Sequence, residues 1–306
     1  MKAIVYYKYG PPEVLYIKEV DKPEPKVDEV LIKVLATTVH RGDSRMRSMT
    51  VPGPLYERIM GRLVLGVFGP RRKILGMELA GEIESIGKNV TKFNVGDQVF
   101  ASTYPGLRFG AYAEYVCLPE NGMIALKPSN MTYDEAAPLP SGGSAALVFL
   151  RDTGKVKDRK KVLINGASGS LGTYGVQIAK YYGAEVTGVC STGNVELVQS
   201  LGADKVIDYK KQDFTKGAEK YDLIFDAVSK SSKSACQNIL APNGAYIETS
   251  GPDPGVEELL FLKELVEAGK LKTVIDRSYS FKEIVEAHRY VDKGHKIGNV
   301  IVTFEH

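Results

Sequence analysis

The segment 161–180 constrains the fold more than any other part of the chain. It reads KVLINGASGSLGTYGVQIAK, which predicts a buried strand, a glycine-rich turn and a helix. Gly166, Gly169 and Gly172 follow the apolar run at every third position. Such glycines allow a tight turn, close approach of the backbone to a pyrophosphate, and close packing of helix on strand. The helix N-terminus would offer N–H donors to the phosphates, so the segment predicts a dinucleotide site.

The residues around this segment favour binding over a plain connecting turn. The apolar stretch 185–189 predicts a second strand, which completes a βαβ unit of about 30 residues. The turn after that strand reads CSTGN and carries no carboxylate to pair with the ribose of NAD. Ser191 and Thr192 can instead donate to a 2′-phosphate, which favours NADP. The same turn also serves as a polar cap for the helix expected over 195–201.

Composition limits the classes of partner. The 306 residues suffice for two domains, and 40 basic against 37 acidic residues give a net charge of only +3, which disfavours nucleic acid. We expect no signal peptide at residues 1–10 and no membrane span, because no apolar run reaches about 18 residues. The odd, scattered set Cys117, Cys190 and Cys236 predicts reduced thiols and a cytoplasmic protein.

Two kinds of secondary structure divide the chain. The first part predicts short strands separated by turns, as in a partly open barrel, at 2–7, 29–37, 78–86, 98–100 and 111–116. Beyond Pro128, alternating strands and helices predict a doubly wound parallel α/β sheet, with elements at 161–165, 171–182, 185–189, 195–201, 204–208, 221–228, 231–240 and 244–249. Helices at 256–268 and 281–292 and a strand at 299–304 complete the expectation.

Motifs along nearly the whole chain resemble the medium-chain dehydrogenases/reductases, in particular the zinc-independent, quinone-oxidoreductase-like branch. They include GDSRMRS, LGMELAGEIESIG, FNVGDQVFAS, GAYAEYV, NGASGSLGTYGVQIAK and EAHRYVDKGHKIGNV. The resemblance implies a GroES-like β-barrel catalytic domain at 1–125 and 277–306, a Rossmann NADP-binding domain at 126–276, and an active site in the cleft between them. It also implies NADPH-dependent reduction of a quinone, or of the C=C bond of an α,β-unsaturated carbonyl.

The resemblance assigns cofactor contacts position by position. It places the glycine loop on the pyrophosphate, the residues of the following strand end near the 2′-phosphate, and two residues at the end of the fourth strand beside the cofactor. Tyr209 either flanks the adenosine phosphate or is only an aromatic residue at a strand end. The full set is Gly166, Ser168, Gly169, Leu171, Gly172, Ser191, Thr192, Asn194, Tyr209, Asp226 and Val228.

His40, Asp43 and Arg45 are the catalytic candidates, because the resemblance places this loop near the nicotinamide. His40 either donates to an enolate or fills a structural polar role. Arg45 either binds the substrate carbonyl oxygen or is a solvated charge. Tyr56 and Tyr104 are weaker candidates, for which packing in a pocket wall is the alternative.

The zinc-dependent relatives need three ligands, and alignment places them at His40, Met77 and 141–142. Methionine is a poor zinc ligand and the four-cysteine structural lobe is absent, so we expect no metal. Two enzymatic and one non-enzymatic function remain in competition: the quinone or enone reductase first, then a zinc-free alcohol dehydrogenase, and a non-catalytic NADPH-binding or redox-sensing protein.

Two segments leave questions open. Relatives have a few dozen more residues after Ser250, including a sixth strand. Either the chain is shortened there, or residues are missing from the numbered sequence; we favour the second, because a deletion would remove an edge strand and nicotinamide contacts together. The oligomeric state therefore stays open between monomer and homodimer. The apolar segment 54–68 predicts either a hydrophobic substrate or a helix buried against the barrel.

Overall fold

The fold was analysed in a computed structural model, which describes residues 1–50, 55–158 and 161–305. The chain divides into two compact units, residues 1–141 with 275–306 and residues 142–274. Residues 126–141 and 275–276, which sequence analysis assigned to the nucleotide domain, therefore group with the first unit. We describe each unit separately.

The described residues form fourteen strands and eight α-helices, with short 3-10 and π turns between some of them. In chain order they are β1 (Lys2–Val5), β2 (Tyr16–Glu19), β3 (Glu29–Thr38), α1 (Arg41–Ser48), α2 (Leu55–Leu65), β4 (Glu78–Ile86), β5 (Gln98–Ser102), β6 (Tyr115–Pro119), β7 (Ile124–Leu126), α3 (Tyr133–Ala136), α4 (Ser144–Val148), β8 (Lys161–Asn165), α5 (Ser170–Tyr181), β9 (Glu185–Cys190), α6 (Val195–Ser200), β10 (Lys205–Asp208), β11 (Tyr221–Asp226), β12 (Leu240–Ile247), α7 (Val256–Glu267), β13 (Ile275–Ser280), α8 (Ile284–Asp292) and β14 (Asn299–Thr303).

A seven-stranded sheet forms the body of the first unit. Its order is β13-β14-β3-β4-β5-β7, and β6 also pairs with β3. The long strand β3 pairs with β4 along one edge, and with β6 and then β14 along the other. Most of its residues are buried, as expected for a strand flanked on both edges. Sequence analysis missed β2, β7 and β13, and it placed β6 too early, at 111–116.

The helix α1 follows β3 and is anchored by a buried charged side chain. Arg47 is 2% exposed, and its guanidinium donates to the Gly10 carbonyl oxygen at 3.1 Å and to Asp292 at 2.7 Å. It also meets His288 Nδ1 at 2.8 Å, and His288 Nε2 lies 3.2 Å from the Tyr112 hydroxyl. A buried charge needs such partners, and here they fix α1 against α8.

The exposure of helix α2 bears on the apolar segment 54–68, for which a helix buried against the barrel was one alternative. Residues 55–65 are helical as the apolar pattern suggests, but Ile59, Met60 and Leu63 are all about half exposed. The alternative of a helix buried against the barrel is therefore wrong for these side chains. Pro54, the first residue of the segment, lies outside the described residues. Within the described ranges, no helix is both long and apolar enough to cross a bilayer.

The second unit is built on a five-stranded parallel sheet of order β10-β9-β8-β11-β12. The chain moves outward from β8 in one direction and from β11 in the other, so the order reverses between these two strands. Ligands of open α/β sheets bind at such a reversal, outside the carboxyl ends of the strands.

Two details of this unit depart from expectation. The helix expected at 231–240 is replaced by turns, and β12 already begins at Leu240. The backbone runs continuously from β12 through residues 248–255 into α7. The full sequence of 306 residues contains only this short connection, contrary to our expectation of missing residues, and within the described part of the unit the sheet ends at its fifth strand.

Candidate active site

The glycine loop between β8 and α5 has the close backbone packing that its sequence predicts. Gly166 adopts a φ of 79°, in the region that favours glycine. A Cβ on Gly172 would lie 2.1 Å from the Gly166 carbonyl oxygen, so no larger residue fits without displacing the loop. Gly169 precedes α5, and no described side chain caps the helix there. The first turn of α5, which includes the half-buried Leu171, therefore presents backbone donors suited to an anion.

The structure brings the ends of β8 and β11 together at the reversal point. The Asn165 amide donates to Asp226 at 3.0 Å, and a Cβ on Gly166 would lie 2.4 Å from Val228. Asp226 is fully buried, and its two oxygens accept hydrogen bonds from several protein groups. These donors are Asn165, the backbone N–H groups of Val228, Lys230 and Ser231, and the Tyr246 hydroxyl. Asp226 thus shapes the loop, whereas Val228 is 42% exposed.

A polar cluster joins the glycine loop to the turn after β9. The Asn194 amide nitrogen donates to Ser168 Oγ at 3.0 Å and to Ser191 Oγ at 3.2 Å. Both hydroxyl oxygens act as acceptors, which leaves the hydroxyl hydrogens as donors; no acceptor for them is found among the described residues. Three predicted cofactor residues therefore converge on one place, with two O–H donors suited to phosphate oxygens.

A carboxylate that sequence analysis did not consider lies beside this cluster. The Thr192 hydroxyl donates to Asp208 Oδ2 at 2.7 Å, and this bond is the largest cause that lowers the pKa of Asp208. Our expectation that Thr192 donates to a 2′-phosphate is thereby weakened, because its one hydrogen is engaged. Lys211 lies 3.7 Å from the same oxygen. The sequence could have indicated this position of Asp208. It ends the strand next to β9, and the carboxyl ends of parallel strands lie at the same edge of a sheet.

Tyr209 follows Asp208 and is 48% exposed. Its backbone N–H donates to the Cys190 carbonyl oxygen at 3.0 Å, and the Lys210 ammonium lies 5.3 Å from the ring centroid. A shallow cavity of about 410 Å³ is lined by Tyr209 and Lys210 together with Lys211, Gln212, Asp213 and Phe214. The ring therefore lies partly exposed just beyond the end of β10.

In the first unit, His40 caps α1 through its side chain. The Gly42 N–H donates to His40 Nδ1 at 3.0 Å, and the His40 N–H donates to Asp43 Oδ2 at 3.0 Å. Burial, followed by the charges of Lys296 and Arg45, lowers the pKa of His40 to about 4. The ring is therefore neutral at pH 7, and because Nδ1 accepts, the proton is on Nε2. His40 thus presents one N–H donor.

Asp43 is fully buried and holds backbone groups. Besides the His40 N–H, it accepts from the Gly76 N–H at 3.1 Å. Burial raises the pKa of Asp43 to about 7, although these two backbone hydrogen bonds act in the opposite direction. Its position supports the loop that carries His40 and does not present a free carboxylate to a ligand.

The other candidates of this unit lie at the surface. Arg45 is exposed, and burial of part of its side chain together with the charge of Arg41 lowers its pKa. Tyr56 and Tyr104 are 65% and 40% exposed.

Glu78 and Lys296 are two charged residues that sequence analysis did not select. Glu78 is 1% exposed, and it accepts from the Thr38 hydroxyl at 2.5 Å and from the Ser141 N–H at 2.9 Å. Burial raises the pKa of Glu78 to about 7. Burial also lowers the pKa of Lys296 to about 8, and the charge of Glu78 opposes that change. No local pattern marks them, because their charges influence each other only when β4 and the segment before β14 share one unit.

The positions aligned with zinc ligands do not fit a zinc ion. Met77 is 4% exposed, and a Cβ on Gly42 would lie 2.8 Å from its sulfur and 2.9 Å from His40 Nδ1, so His40 and Met77 do meet at Gly42. However, His40 Nδ1 already accepts a hydrogen bond, Met77 offers only a thioether, and Ser141 contributes its N–H to Glu78. Within the described residues there is no group of three or more His, Cys, Asp or Glu side chains suited to a metal.

Comparison with known proteins identifies the family. A model of the alcohol dehydrogenase GroES-like domain matches residues 26–128, and a model of a zinc-binding dehydrogenase matches residues 201–259 and 253–302. The chain belongs to the medium-chain dehydrogenase/reductase superfamily, in its quinone-oxidoreductase-like branch. The predicted fold class, a Rossmann-type sheet with a separate GroES-like unit, is confirmed.

Similar proteins cover nearly the whole chain. A 2-methylene-furan-3-one reductase of Solanum lycopersicum is 31% identical, over 99% of this chain and 79% of the relative. An NADPH-dependent alkenal/one oxidoreductase of Arabidopsis thaliana, described as chloroplastic, is 32% identical over the same shares. The solved quinone oxidoreductase from Coxiella burnetii is 27% identical with a TM-score of 0.82, covering 100% of this chain and 99% of that one.

Proposed function

We propose that this protein is an NADPH-dependent oxidoreductase that reduces a quinone or the C=C bond of an α,β-unsaturated carbonyl without a metal. The observation that carries the proposal is the glycine loop of the second unit, where a Cβ on Gly172 would clash with the Gly166 carbonyl oxygen and Ser168 is linked to Ser191. Relatives of more than 30% identity that carry enone-reductase names support the same reaction class.

The cofactor would be held by backbone and hydroxyl donors. The loop from Gly166 to Gly172 suits a pyrophosphate, since it combines close backbone approach with the N-terminus of α5. Ser191 and Asn194 would meet a 2′-phosphate, and Lys210 and Lys211 add positive charge at the adjoining strand end. We propose NADPH over NADH on these grounds, with Asp208 as the group that opposes this preference.

The bound cofactor supplies a hydride. The chain must then stabilise the negative charge that develops on the substrate oxygen, and we propose that the Nε2–H of neutral His40 does so. Asp43 acts as a positioning residue, because it fixes the backbone at His40 and Gly76. Arg45 is exposed on the same helix and offers a second donor for the carbonyl oxygen. A proton from water completes the reduction.

The first test is titration of the purified protein with NADPH and with NADH, followed by nucleotide fluorescence. We expect micromolar binding of NADPH and weaker binding of NADH. Equal affinities would remove the cofactor preference but keep the enzyme class. Absence of binding by either nucleotide would contradict the proposed function.

The second test is turnover. A 2-alkenal, an enone and a quinone are offered with NADPH, and a primary alcohol with NADP⁺ serves as the control for the alcohol dehydrogenase alternative. We expect oxidation of NADPH with at least one of the first three and none with the alcohol. Binding of NADPH without turnover of any substrate would favour the non-catalytic alternative.

A cytoplasmic location, supported by three free cysteines, also remains our proposal.

A further inference from the structure

The surface of α2 and the loop after it exposes a continuous apolar stripe. Ile59, Met60, Leu63 and Val64 recur at helical spacing and are 48–56% exposed. Beyond the helix, Val67 is 40% exposed and Phe68 is fully exposed. We call these six residues the apolar stripe. Single exposed apolar residues are common on proteins, whereas a contiguous group of this size marks an interaction surface.

Positive charge surrounds the apolar stripe. Residues 55–73 contain five basic residues and one acidic residue, Glu57. The loop residues Arg71, Arg72 and Lys73 are all exposed. Arg62 lies on α2 itself, where it donates to the Val67 carbonyl oxygen at 3.2 Å and its guanidinium lies 5.6 Å from the centroid of the Tyr9 ring. Apolar and cationic groups thus occupy one face.

Half-exposed aromatic rings extend this face. Tyr7 and Tyr16 are 45% and 48% exposed and stack with their centroids 6.2 Å apart. The ammonium groups of Lys18 and Lys73 each lie 5.4 Å from the Tyr7 ring centroid. Amphipathic rings and cationic side chains next to an apolar stripe are typical of protein surfaces that lie in the headgroup region of a bilayer.

We propose that the apolar stripe and its surrounding cations dock this protein on an anionic membrane surface. The six apolar side chains enter the boundary between headgroups and acyl chains, with α2 lying in the plane of the surface. Arg71, Arg72 and Lys73 contact the anionic headgroups. An anionic bilayer offers acyl chains to the apolar stripe and negative charge to the cations around it. A second copy of the chain would instead bring two such clusters of cations together. The proposal goes beyond the reductase activity and does not depend on it.

The test is co-sedimentation of the full chain with vesicles, without substrate or cofactor. Vesicles of phosphatidylcholine and phosphatidylserine in equal parts are compared with vesicles of phosphatidylcholine alone. We expect at least about 10-fold stronger binding to the anionic vesicles, since each cation near the surface contributes roughly 5-fold. Raising the salt concentration from about 0.1 M to about 1 M shortens the screening length from about 10 Å to about 3 Å, and should remove most of this difference.

Paired variants assign the binding to this surface. Leu63→Asp with Phe68→Asp should abolish vesicle binding, and R71E with R72E should reduce it by at least about 10-fold. The matched control is Val27→Asp with Val95→Asp, which are 44% and 63% exposed in the same unit and outside this surface. All three double variants alter exposed residues, so thermal unfolding should show that each remains folded.

The proposal would be overturned if the unaltered protein did not bind anionic vesicles at low salt, or if the L63D/F68D variant bound them as well as the unaltered protein does. It would also be overturned if the V27D/V95D control lost as much binding as the L63D/F68D variant. Sedimentation equilibrium provides a further test. A dimer that becomes monomeric in L63D/F68D would assign the stripe to contact between two copies. Because vesicle binding is measured without turnover, failure of the reductase assignment would leave this test unaffected.

Discussion

The two units carry candidate functional groups of opposite character. In the second unit, the glycine loop and the Ser168–Asn194–Ser191 cluster offer backbone N–H groups and hydroxyls, none of which titrates near neutral pH. In the first unit, Asp43 and Glu78 are buried carboxyl groups with pKa values raised to about 7. One site is a fixed set of donors, whereas the other changes charge in the physiological range.

This difference supports the proposed division of labour, in which the second unit binds the nucleotide and the first unit contributes to the chemistry. A nucleotide keeps its phosphate charges over the working pH range, so pH-independent donors suit it. Stabilisation of a developing oxyanion needs a donor whose protonation is assured, and the role proposed for His40 rests on a neutral ring with its proton on Nε2. The comparison predicts that changes in the second unit alter nucleotide affinity, while changes in the first alter stability with pH and the rate of reduction.

The largest effect is expected from Gly172→Ala. Its Cβ would lie 2.1 Å from the Gly166 carbonyl oxygen and 2.7 Å from Ala167 Cα, so α5 must move away from the loop. We expect NADPH binding to be lost in the fluorescence titration. Gly193→Ala is the matched control, because a Cβ there meets nothing within 4 Å. Retained affinity in a folded G172A variant would contradict the assignment of the loop.

The sequence revealed this loop because its requirement is local. Gly166, Gly169 and Gly172 are close in the chain, and their backbone geometry depends on each other and on the strand just before them. The contact of Gly166 with Val228 follows from the sheet order, which the alternation of strands and helices already indicated. By contrast, Glu78 is defined by Thr38 and Ser141, which are distant in sequence. Because these residues are so far apart in the sequence, they form no local motif from which the cluster could be predicted.

The next largest effect concerns Glu78 and pH. Its pKa is raised in the folded state to about 7 from 4.5, so the contribution of Glu78 is most favourable at low pH and is lost as the pH rises through about 7. We expect the free energy of unfolding of the unaltered protein, relative to Glu78→Gln, to fall by on the order of 3 kcal/mol between pH 4 and pH 8. Chemical denaturation across that range measures it.

Glu84→Gln is the control for this experiment. Glu84 lies on the same strand, and its exposed carboxylate pairs with Lys22 at 2.6 Å. Exposed pairs contribute little to stability, so the substitution should change the free energy of unfolding by less than about 1 kcal/mol. If the difference between the unaltered protein and Glu78→Gln did not vary with pH, the contrast between the two units would be lost.

A smaller effect is expected from His40→Ser. Serine preserves the cap of α1, so stability should change little, but the Nε2–H donor is removed. We expect kcat to fall about 10- to 100-fold, the range of a hydrogen bond to a charged group, with unchanged affinity for NADPH. His295→Ser, at an exposed position, is the control. An unaltered kcat would leave His40 with a structural role only.

The smallest effect is expected on the relative affinity for NADPH and NADH. The carboxylate of Asp208 accepts from Thr192 and stands at the strand end where a 2′-phosphate would bind. Removing one negative charge beside a bound anion favours binding of that anion, so Asp208→Asn should raise the affinity for NADPH about 5-fold relative to NADH. Asp213→Asn is the control, because Asp213 lines the cavity beside Tyr209 but its carboxylate accepts from Thr215 and not from Thr192. A gain in NADPH affinity confined to Asp208→Asn would show that this carboxylate, and not the serine cluster alone, sets the choice between the two nucleotides. Equal affinities before and after the substitution would mean that the 2′-phosphate lies elsewhere.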